Sequence, residues 1–295
     1  MRVQRSAPAS VWSLGAQLLE GPVWVARDAA LWFVDIKGRK VHRFDPANDA
    51  KASWEAPEQI GFCLPVAGGG FVAGLQTGLA RFDPADGNFV PLIDPEPDQP
   101  GNRLNDGAVD YAGRLWFGTM DDAERDATGR IYSLDVNGRC IAATAPVPIT
   151  NGPAVSPDGR TFYHVDTVAR TIHASTLGGD GSLVDARVFA RIAPEDGYPD
   201  GPTVDAEGCL WVGLYHGWAA RRYAPSGELL EQVRFPVSAI TKISFGGPGL
   251  TTAYATSAAK HLDAAGRARE PQAGDLFAFE VAVPGAVAIE VAIGI

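Results

Sequence analysis

The stretch Leu210-Trp-Val-Gly-Leu214 is one of six copies of a short apolar and aromatic pattern that recurs along this chain of 295 residues. The central residues of the copies are separated by 39, 45, 46, 49 and 42 positions. These central residues are Phe33, Val72, Phe117, Tyr163, Val212 and Tyr254. Repeats of about 40–45 residues have the length of one four-stranded blade of a β-propeller. The periodicity therefore predicts an all-β fold, a six-bladed β-propeller with four-stranded blades.

The residues around the repeated pattern favour the same architecture. Gly-containing turns at 111–114, 157–160 and 206–209 come directly before three of the copies. Helical periodicity is absent, and residues 258–265 are expected to form at most a short turn. We expect a strand near Val11–Leu14 to pair with the segment near 274–281, which closes the ring and removes its free edges. Residues 1–295 are thus interpreted as a single domain.

Composition and charge exclude several classes of function. Lys and Arg number 25 and Asp and Glu number 35, so the formal charge is −10, which argues against a nucleic-acid partner. No apolar run approaches the roughly 18 residues that would predict a membrane span, and the N-terminus lacks the apolar segment of a signal peptide. Three scattered cysteines argue against a disulfide framework and favour the reducing cytoplasm. No obligate protein partner is evident.

Each repeat has a characteristic position 12 or 13 residues before its central residue. Four repeats place an acid or amide there, and three of these four continue with Gly-Pro. The four residues are Glu20, Asn105, Asn151 and Asp200. The other two repeats have Ile60 and Lys242, and Lys242 is a candidate to neutralise the carboxylates.

Equivalent positions of a circular repeat surround its axis, so these side chains are expected to converge at one mouth of the central channel. Read alone, each Asx-Gly-Pro tripeptide is also common turn chemistry. Glu is a poor turn former, however, and three copies in register favour a site. Carboxylate and amide oxygens suit hard divalent cations such as Ca²⁺, Mg²⁺ or Mn²⁺. Three protein ligands would leave positions for water and substrate.

Several motifs in this order resemble the gluconolactonase/regucalcin (senescence marker protein) family, and within it the bacterial sugar lactonases. They are Glu20-Gly-Pro-Val-Trp24, Asn102-Arg-Leu-Asn-Asp-Gly107, Gly118-Thr-Met120, Thr150-Asn-Gly-Pro153, Asp200-Gly-Pro202 and Phe245-Gly-Gly247. The resemblance spans roughly residues 15–279. It implies a six-bladed propeller with one divalent metal ion bound by the residues that match Glu20, Asn151 and Asp200. It also implies substrate contacts from Arg103 and Asn105.

One position departs from the pattern of the family. Vertebrate members have a substrate-contacting Glu shortly after the Gly-Thr-Met motif, where this chain has Ala123. The neighbouring acids Asp121, Asp122 and Glu124 are candidates to replace it, and we assign Asp121 and Glu124 to substrate binding.

The predicted function is metal-dependent hydrolysis of a sugar lactone to its aldonic acid, with a pentonolactone favoured over a hexonolactone. Asp200 is the candidate general base as well as a metal ligand. Ca²⁺ is the first candidate metal, and Zn²⁺, Mn²⁺ and Fe²⁺ are alternatives from the resemblance. Arg103 and Asn105 would hydrogen-bond the sugar or the carbonyl oxygen.

Other functions remain open at this point. A propeller can be a non-catalytic platform for protein binding, and propeller hydrolases of other esters or of organophosphates share the layout. A calcium-buffering role is a third reading, although three ligands with few charges favour only modest affinity. No Gly-x-Ser-x-Gly elbow, His-Glu-x-x-His motif or phosphate loop supports another chemistry. Tyr198, His216 and Trp218 are candidates for the rim of the pocket.

Overall fold

The structure, a computed structural model, describes residues 3–292 and consists mainly of β-strands. Strand β1 (Ala9–Trp12) comes first, and the next sixteen strands form four antiparallel four-stranded sheets in chain order. The first sheet consists of β2 (Leu19–Val25), β3 (Ala30–Asp35), β4 (Lys40–Asp45) and β5 (Ala50–Glu55). The second consists of β6 (Ile60–Pro65), β7 (Phe71–Leu75), β8 (Leu79–Asp83) and β9 (Asn88–Ile93). The third consists of β10 (Asn102–Val109), β11 (Leu115–Asp121), β12 (Ile131–Leu134) and β13 (Cys140–Ala142). The fourth consists of β14 (Thr150–Val155), β15 (Thr161–Asp166), β16 (Thr171–Leu177) and β17 (Leu183–Arg191).

The remaining strands form an eight-stranded sheet with two antiparallel halves. One half is β18 (Tyr198–Val204), β19 (Leu210–Tyr215), β20 (Ala219–Tyr223) and β21 (Leu229–Arg234), and the other is β22 (Ile240–Gly246), β23 (Thr252–Ser257), β24 (Leu276–Glu280) and β1. A single parallel bridge between Gly201 and Lys242 joins the halves. The pairing of β1 with β24 confirms the expected contact between the two ends of the chain, although the strand begins two residues earlier than predicted.

The first strands of the six four-stranded units contact one another in a closed ring. Each of β2, β6, β10, β14, β18 and β22 contacts the next in this order, and β22 contacts β2. All six central residues of the sequence pattern lie in the second strands, which pair with the first strands on their outer side. The apolar core fills the spaces between neighbouring sheets, where for example Trp32 contacts Phe71 and Trp116 contacts Phe162. The fold thus brings the six equivalent positions to a common axis.

Each first strand is irregular at the position that the sequence analysis singled out. The pairing register shifts at Glu20–Val23, at Asn151–Ala154 and at Pro199–Pro202, and the other three first strands shift at the same place. Gly21 and Gly152 have φ angles of +56° and +80°, a conformation that favours glycine. Bulges of this kind re-aim side chains. In the three bulges that contain it, the Gly-Pro pair therefore changes the direction of the acid or amide before it, whose side chain no longer follows the regular alternation of the strand.

The predicted turns between the first and second strands are present. In the turn after β18, the buried Asp205 accepts hydrogen bonds from the backbone N–H groups of Glu207 and Cys209 and from the indole N–H of Trp211. Asp110 does the same in the turn after β10, with Trp116 as its indole partner. In both of these turns, the acid that begins the turn therefore also fixes the tryptophan of the repeated pattern.

The prediction of at most a short turn at residues 258–265 was wrong for the last two residues. Helix α1 covers Ala264–Arg269, because the Asp263 side chain accepts a hydrogen bond from Gly266 N and caps its first turn. No helix within residues 3–292 has the length and apolar character needed to cross a bilayer. The three cysteines are free thiols.

After β24 the chain crosses the end of the ring opposite to the functional residues described below. Residues 284–286 hydrogen-bond to the backbone near Val204 and Leu250, and Val291 bridges to Val66 on another sheet. Residues 286–289 line a small cavity of about 130 Å³ against the inner strands. We call this segment, residues 284–291, the C-terminal strap.

Candidate active site

A cavity of about 370 Å³ lies at the other end of the ring of first strands. Six of the seven residues that the sequence analysis assigned to the site line it, namely Glu20, Arg103, Asn105, Glu124, Asn151 and Asp200. They come from four different first strands and from one loop that follows a second strand. The fold therefore brings together residues that are up to 180 positions apart in the sequence.

Two buried carboxylates, Glu20 and Asp200, face this cavity. Burial raises the pKa of Asp200 to about 8, and the nearby Asp106 carboxylate adds to the shift. Burial also raises the pKa of Glu20 well above its ordinary value, and the charges of Asp200 and Asp106 act in the same direction. Both groups are therefore costly to ionise without a cation beside them.

Few hydrogen bonds within residues 3–292 satisfy these carboxylates. Oε2 of Glu20 accepts the N–H of Gly21 at 2.9 Å, whereas Oε1 and both oxygens of Asp200 have no partner there. These oxygens are accessible from the cavity, where a ligand can reach them. The free oxygens on this wall of the cavity thus fit a bound cation.

Asn151 supplies an amide oxygen to the same wall. Its Nδ2 donates to Thr167 Oγ1 at 2.9 Å, and its Oδ1 accepts from Asn105 Nδ2 at 3.1 Å. These two contacts fix which end of the amide is the oxygen. No three His, Cys, Asp or Glu side chains in the described part of the chain form a metal-binding group, so a metal site here depends on this amide. Two carboxylates and one amide oxygen are a donor set suited to a hard divalent cation.

Arg103 is almost fully buried, with its guanidinium in the cavity wall. Its Nε donates to Asp122 at 2.8 Å, and its Nη1 donates to Asn105 Oδ1 at 2.7 Å. Its Nη2 has no partner among residues 3–292. Burial lowers the pKa of Arg103, and the Asp122 carboxylate opposes that shift, so the guanidinium stays charged. Arg103 thus offers the cavity one fixed cationic donor.

Glu124 and Lys260 form an ion pair where the cavity opens. Glu124 has a φ angle of +61° in the loop after β11, which directs its carboxylate across the cavity to the loop after β23. Of the three acids that could replace the missing family Glu, Glu124 is the one that lines the cavity.

Asp121 is placed differently from the expectation. Its carboxylate accepts the backbone N–H groups of Ala123, Arg125 and Asp126, and these bonds lower its pKa. It organises the loop that carries Glu124, and it is not among the residues that line the cavity. The function proposed below therefore makes no use of Asp121 as a substrate contact.

Other residues of the cavity wall were missed or only suspected from the sequence. Tyr198 and His216, considered as rim residues, do line the cavity, whereas Trp218 does not. Thr167, Tyr215 and Lys260 were not singled out. Tyr215 is held by His261, whose Nδ1 lies 3.1 Å from the phenol oxygen. Most of these residues follow the central residue of a repeat by three to seven positions, and this spacing is the sequence signal that predicts a place in the cavity wall.

Similar proteins were identified at the level of family, sequence and structure. Residues 18–259 match the family model described as SMP-30/Gluconolactonase/LRE-like region. The chain belongs to this family. The resemblance predicted from the ordered motifs is thereby confirmed. The family places the chain among proteins that include enzymes named as lactonases.

Two relatives illustrate its range. The chain is 32% identical over 268 residues to a 6-deoxy-6-sulfogluconolactonase of Pseudomonas putida, which covers 90% of this chain and 92% of the relative. It is 34% identical over 262 residues to an L-arabinolactonase of Azospirillum brasilense, with 88% and 86% covered. A crystal structure of a calcium-binding protein, regucalcin, from Agrobacterium tumefaciens superposes with a TM-score of 0.92 at 28% identity, over 99% of both chains.

Proposed function

We propose that this protein is a metal-dependent lactonase that adds water to the ring ester of a sugar lactone and releases the aldonic acid. The observation that carries the proposal is the convergence of two buried carboxylates with free oxygens, one oriented amide oxygen and one buried guanidinium on a single cavity. Such a wall can bind a cation and a polar, uncharged ligand side by side. The membership of a family with named lactonases supports the reaction class.

Glu20, Asn151 and Asp200 would hold one divalent cation, with Ca²⁺ as the first candidate and Zn²⁺, Mn²⁺ and Fe²⁺ as alternatives. Bound there, the cation would supply Lewis acidity toward the lactone carbonyl. The free carboxylate oxygens and the raised pKa values of both acids support this assignment, since a cation would compensate their burial.

The other residues would bind and orient the lactone. Nη2 of Arg103 is a free cationic donor that can hydrogen-bond the carbonyl oxygen as negative charge develops on it. Asn105 hydrogen-bonds to both Arg103 and Asn151 and holds these two side chains in place relative to each other. Glu124 is the candidate to accept a hydrogen bond from a sugar hydroxyl. Water adds to the carbonyl carbon while Asp200 Oδ accepts its proton, and Asp200 returns this proton to the ring oxygen when the ring C–O bond breaks.

We also propose the finer features of the fold and the substrate. The closed ring of first strands supports six blades in one domain, with the eight-stranded sheet counted as two blades. A pentonolactone remains the favoured substrate, and the relative named L-arabinolactonase is compatible with this preference. The three free thiols support the cytoplasm as the setting.

The test is hydrolysis of D-xylono-, L-arabinono-, D-glucono- and D-galactono-lactones, followed as proton release after subtraction of spontaneous opening. The protein is assayed as purified, after EDTA treatment and after each divalent metal is restored. We expect metal-dependent acceleration that is lost in Glu20→Gln and retained in Glu55→Gln, a control at an exposed carboxylate paired with Lys40. Asp200→Asn that binds metal and keeps full turnover would remove the base assignment. No acceleration with any metal would favour the binding-platform function instead.

A further inference from the structure

A buried ion pair crosses the ring directly beside the proposed metal ligands. Lys242 of β22 and Asp106 of β10 lie on opposite sides of the ring, and Nζ of Lys242 is 2.6 Å and 2.7 Å from the two oxygens of Asp106. Both side chains are buried. Lys242 occupies the position that carries Glu20, Asn151 or Asp200 in other repeats. At this one of the six equivalent positions the chain therefore has a cation in place of an oxygen donor.

The pair contacts the backbone next to two of the three proposed ligands. Oδ2 of Asp106 accepts the N–H of Gly152, the residue after Asn151, at 3.1 Å. Lys242 is the bridge partner of Gly201, the residue after Asp200. A Cβ atom on Gly201 would lie only 2.8 Å from the Lys242 side chain, so the lysine stem packs directly on this backbone.

The third ligand is held from the residue next to Lys242. Thr241 Oγ1 donates to the carbonyl oxygen of Leu19, the residue before Glu20, at 2.7 Å. All three ligands are thus fixed through neighbouring residues that contact this pair or its strand. A displacement of the pair would move the donor atoms relative to one another.

The pair also sets the charge of the site. Glu20, Asp200 and Asp106 contribute three negative charges when ionised, and Lys242 contributes one positive charge. Arg103 and Lys37 both pair with Asp122, outside this inner group. The inner group therefore has a formal charge of −2, which a divalent cation balances. Asp106 and Lys242 have opposite effects on the pKa values of Glu20 and Asp200, which places them within electrostatic range of both.

We propose that Lys242 and Asp106 form a positioning pair for the metal site, which fixes the backbone beside Asn151 and Asp200 and holds the site at a charge matched to a divalent cation. The proposal rests on the proposed function for the identity of the ligands. A pair with a purely structural role would change the unfolding of the protein and leave its preference among cations unchanged. Removal of one partner of a buried ion pair destabilises the fold whichever role the pair has, so the preference among cations is the measurement that separates the two roles.

The test compares Ca²⁺ with Tb³⁺, a trivalent ion of similar size, by calorimetry and by terbium luminescence on the metal-free protein. The variants are Asp106→Asn, Lys242→Met and the double variant. Asn retains an acceptor for Gly152 N–H and Met retains an apolar stem against Gly201, so the changes are mainly in charge. Circular dichroism checks the fold of each variant.

Asp106→Asn should lose about 10–100-fold in Ca²⁺ affinity, because Lys242 is then an unpaired cation beside the site. The ratio of Tb³⁺ affinity to Ca²⁺ affinity should fall in Asp106→Asn, rise by about threefold or more in Lys242→Met and return to the wild-type value in the double variant. If Asp106→Asn does not fold, the ratio of Tb³⁺ affinity to Ca²⁺ affinity in Lys242→Met still tests the proposal, because a rise supports it and an unchanged ratio contradicts it.

Two results would overturn the proposal. One is an unchanged ratio in the single variants, and the other is a double variant that binds Ca²⁺ as weakly as Asp106→Asn. Failure of the proposed function gives a different pattern, because wild-type protein would then bind neither ion, or Glu20→Gln would bind Ca²⁺ as well as wild type. In that case both the positioning role of the pair and the assignment of the three metal ligands are wrong.

Discussion

Asn105 Nδ2 lies 3.1 Å from Asn151 Oδ1 and also 2.7 Å from the carbonyl oxygen of Thr150, so one amide group holds both the side chain and the backbone of a proposed metal ligand. The same Asn105 accepts a hydrogen bond from Arg103 through its Oδ1. The proposed cation side and the proposed substrate side of the cavity are therefore coupled through a single residue.

This coupling predicts that Asn105→Ala impairs metal binding as well as catalysis. Without Asn105, the Asn151 amide keeps only its contact with Thr167 and is free to turn, so divalent affinity should fall about tenfold or more. Calorimetric titration of the metal-free variant measures this effect. Thr167→Val, which removes the other partner of Asn151, is the matched comparison. Unchanged metal affinity in Asn105→Ala would show that Asn151 needs no such support.

The raised pKa of Asp200 predicts that metal binding depends on pH. In the metal-free protein this carboxyl, with a pKa of about 8, is mainly protonated at neutral pH, and a cation has to displace the proton. Divalent affinity should therefore rise with pH and level off above about pH 8. Titrations at pH 6, 7, 8 and 9 in buffers of different ionisation enthalpy measure both the affinity and the protons released. Constant affinity from pH 6 to 8 would contradict the shift.

The same group predicts how the stability of the metal-free protein depends on pH. Its folded-state pKa of about 8 lies above the ordinary value of 3.8, so the folded state binds more protons than the unfolded state between these values. Stability should fall as pH rises from about 4 to about 8, and Asp200→Asn should remove part of that fall. At pH 8 the variant should be more stable by about 2 kcal/mol, the scale of an unsatisfied buried polar group. Urea unfolding of metal-free protein at several pH values tests this, and identical pH profiles would refute it.

Arg103→Lys should lower kcat/KM by about 100-fold or more. A lysine ammonium has no planar fork and cannot bond Asp122 and Asn105 while it also presents a donor to the substrate. Steady-state kinetics on the best lactone of the panel measure the loss. Arg130→Lys is a suitable control, because Arg130 donates to the Thr144 carbonyl outside this cavity. Equal losses in the two variants would point to a general effect on the fold.

Glu124→Gln should raise KM by about three- to tenfold with a smaller change in kcat, if Glu124 has taken over the substrate contact that Ala123 lacks. The amide keeps an acceptor and loses both the charge and the ion pair with Lys260. Lys260→Met removes the same ion pair and leaves the carboxylate in place, so it separates the two effects. An unchanged KM in Glu124→Gln would leave the departure from the family pattern without a substitute in this loop.

The repeat made the inner positions readable from the sequence. Glu20, Asn151 and Asp200 occupy equivalent places in three of the repeats, and a ring of contacting first strands brings such places together. The Gly-Pro residues that follow them also marked the bulges. Periodicity and local turn chemistry therefore sufficed for the side chains of the inner strands.

The remainder depended on contacts that periodicity does not encode. Asp121 and Glu124 are three residues apart, and only the turn that Asp121 caps decides which carboxylate reaches the cavity. The sequence indicates Lys242 as a neutraliser of the carboxylates but does not indicate its partner, because Asp106 comes from the opposite side of the ring. Lys260 lies beyond a strand, where the path of the loop determines its contact with Glu124.

The pairing of β1 with β24 has a consequence for how the chain is made. Synthesis produces β1 before all the other strands described here, but its partner β24 is made only after β23, so every other sheet can assemble while this one waits. Until β24 is made, β1 has no partner in this sheet and β23 lacks its outer neighbour, and an unpaired strand edge is prone to join another chain. Slow or interrupted translation of β24 should therefore yield aggregates rather than partly active protein, and a new pair of ends placed in an exposed loop elsewhere would move that vulnerability to a different sheet.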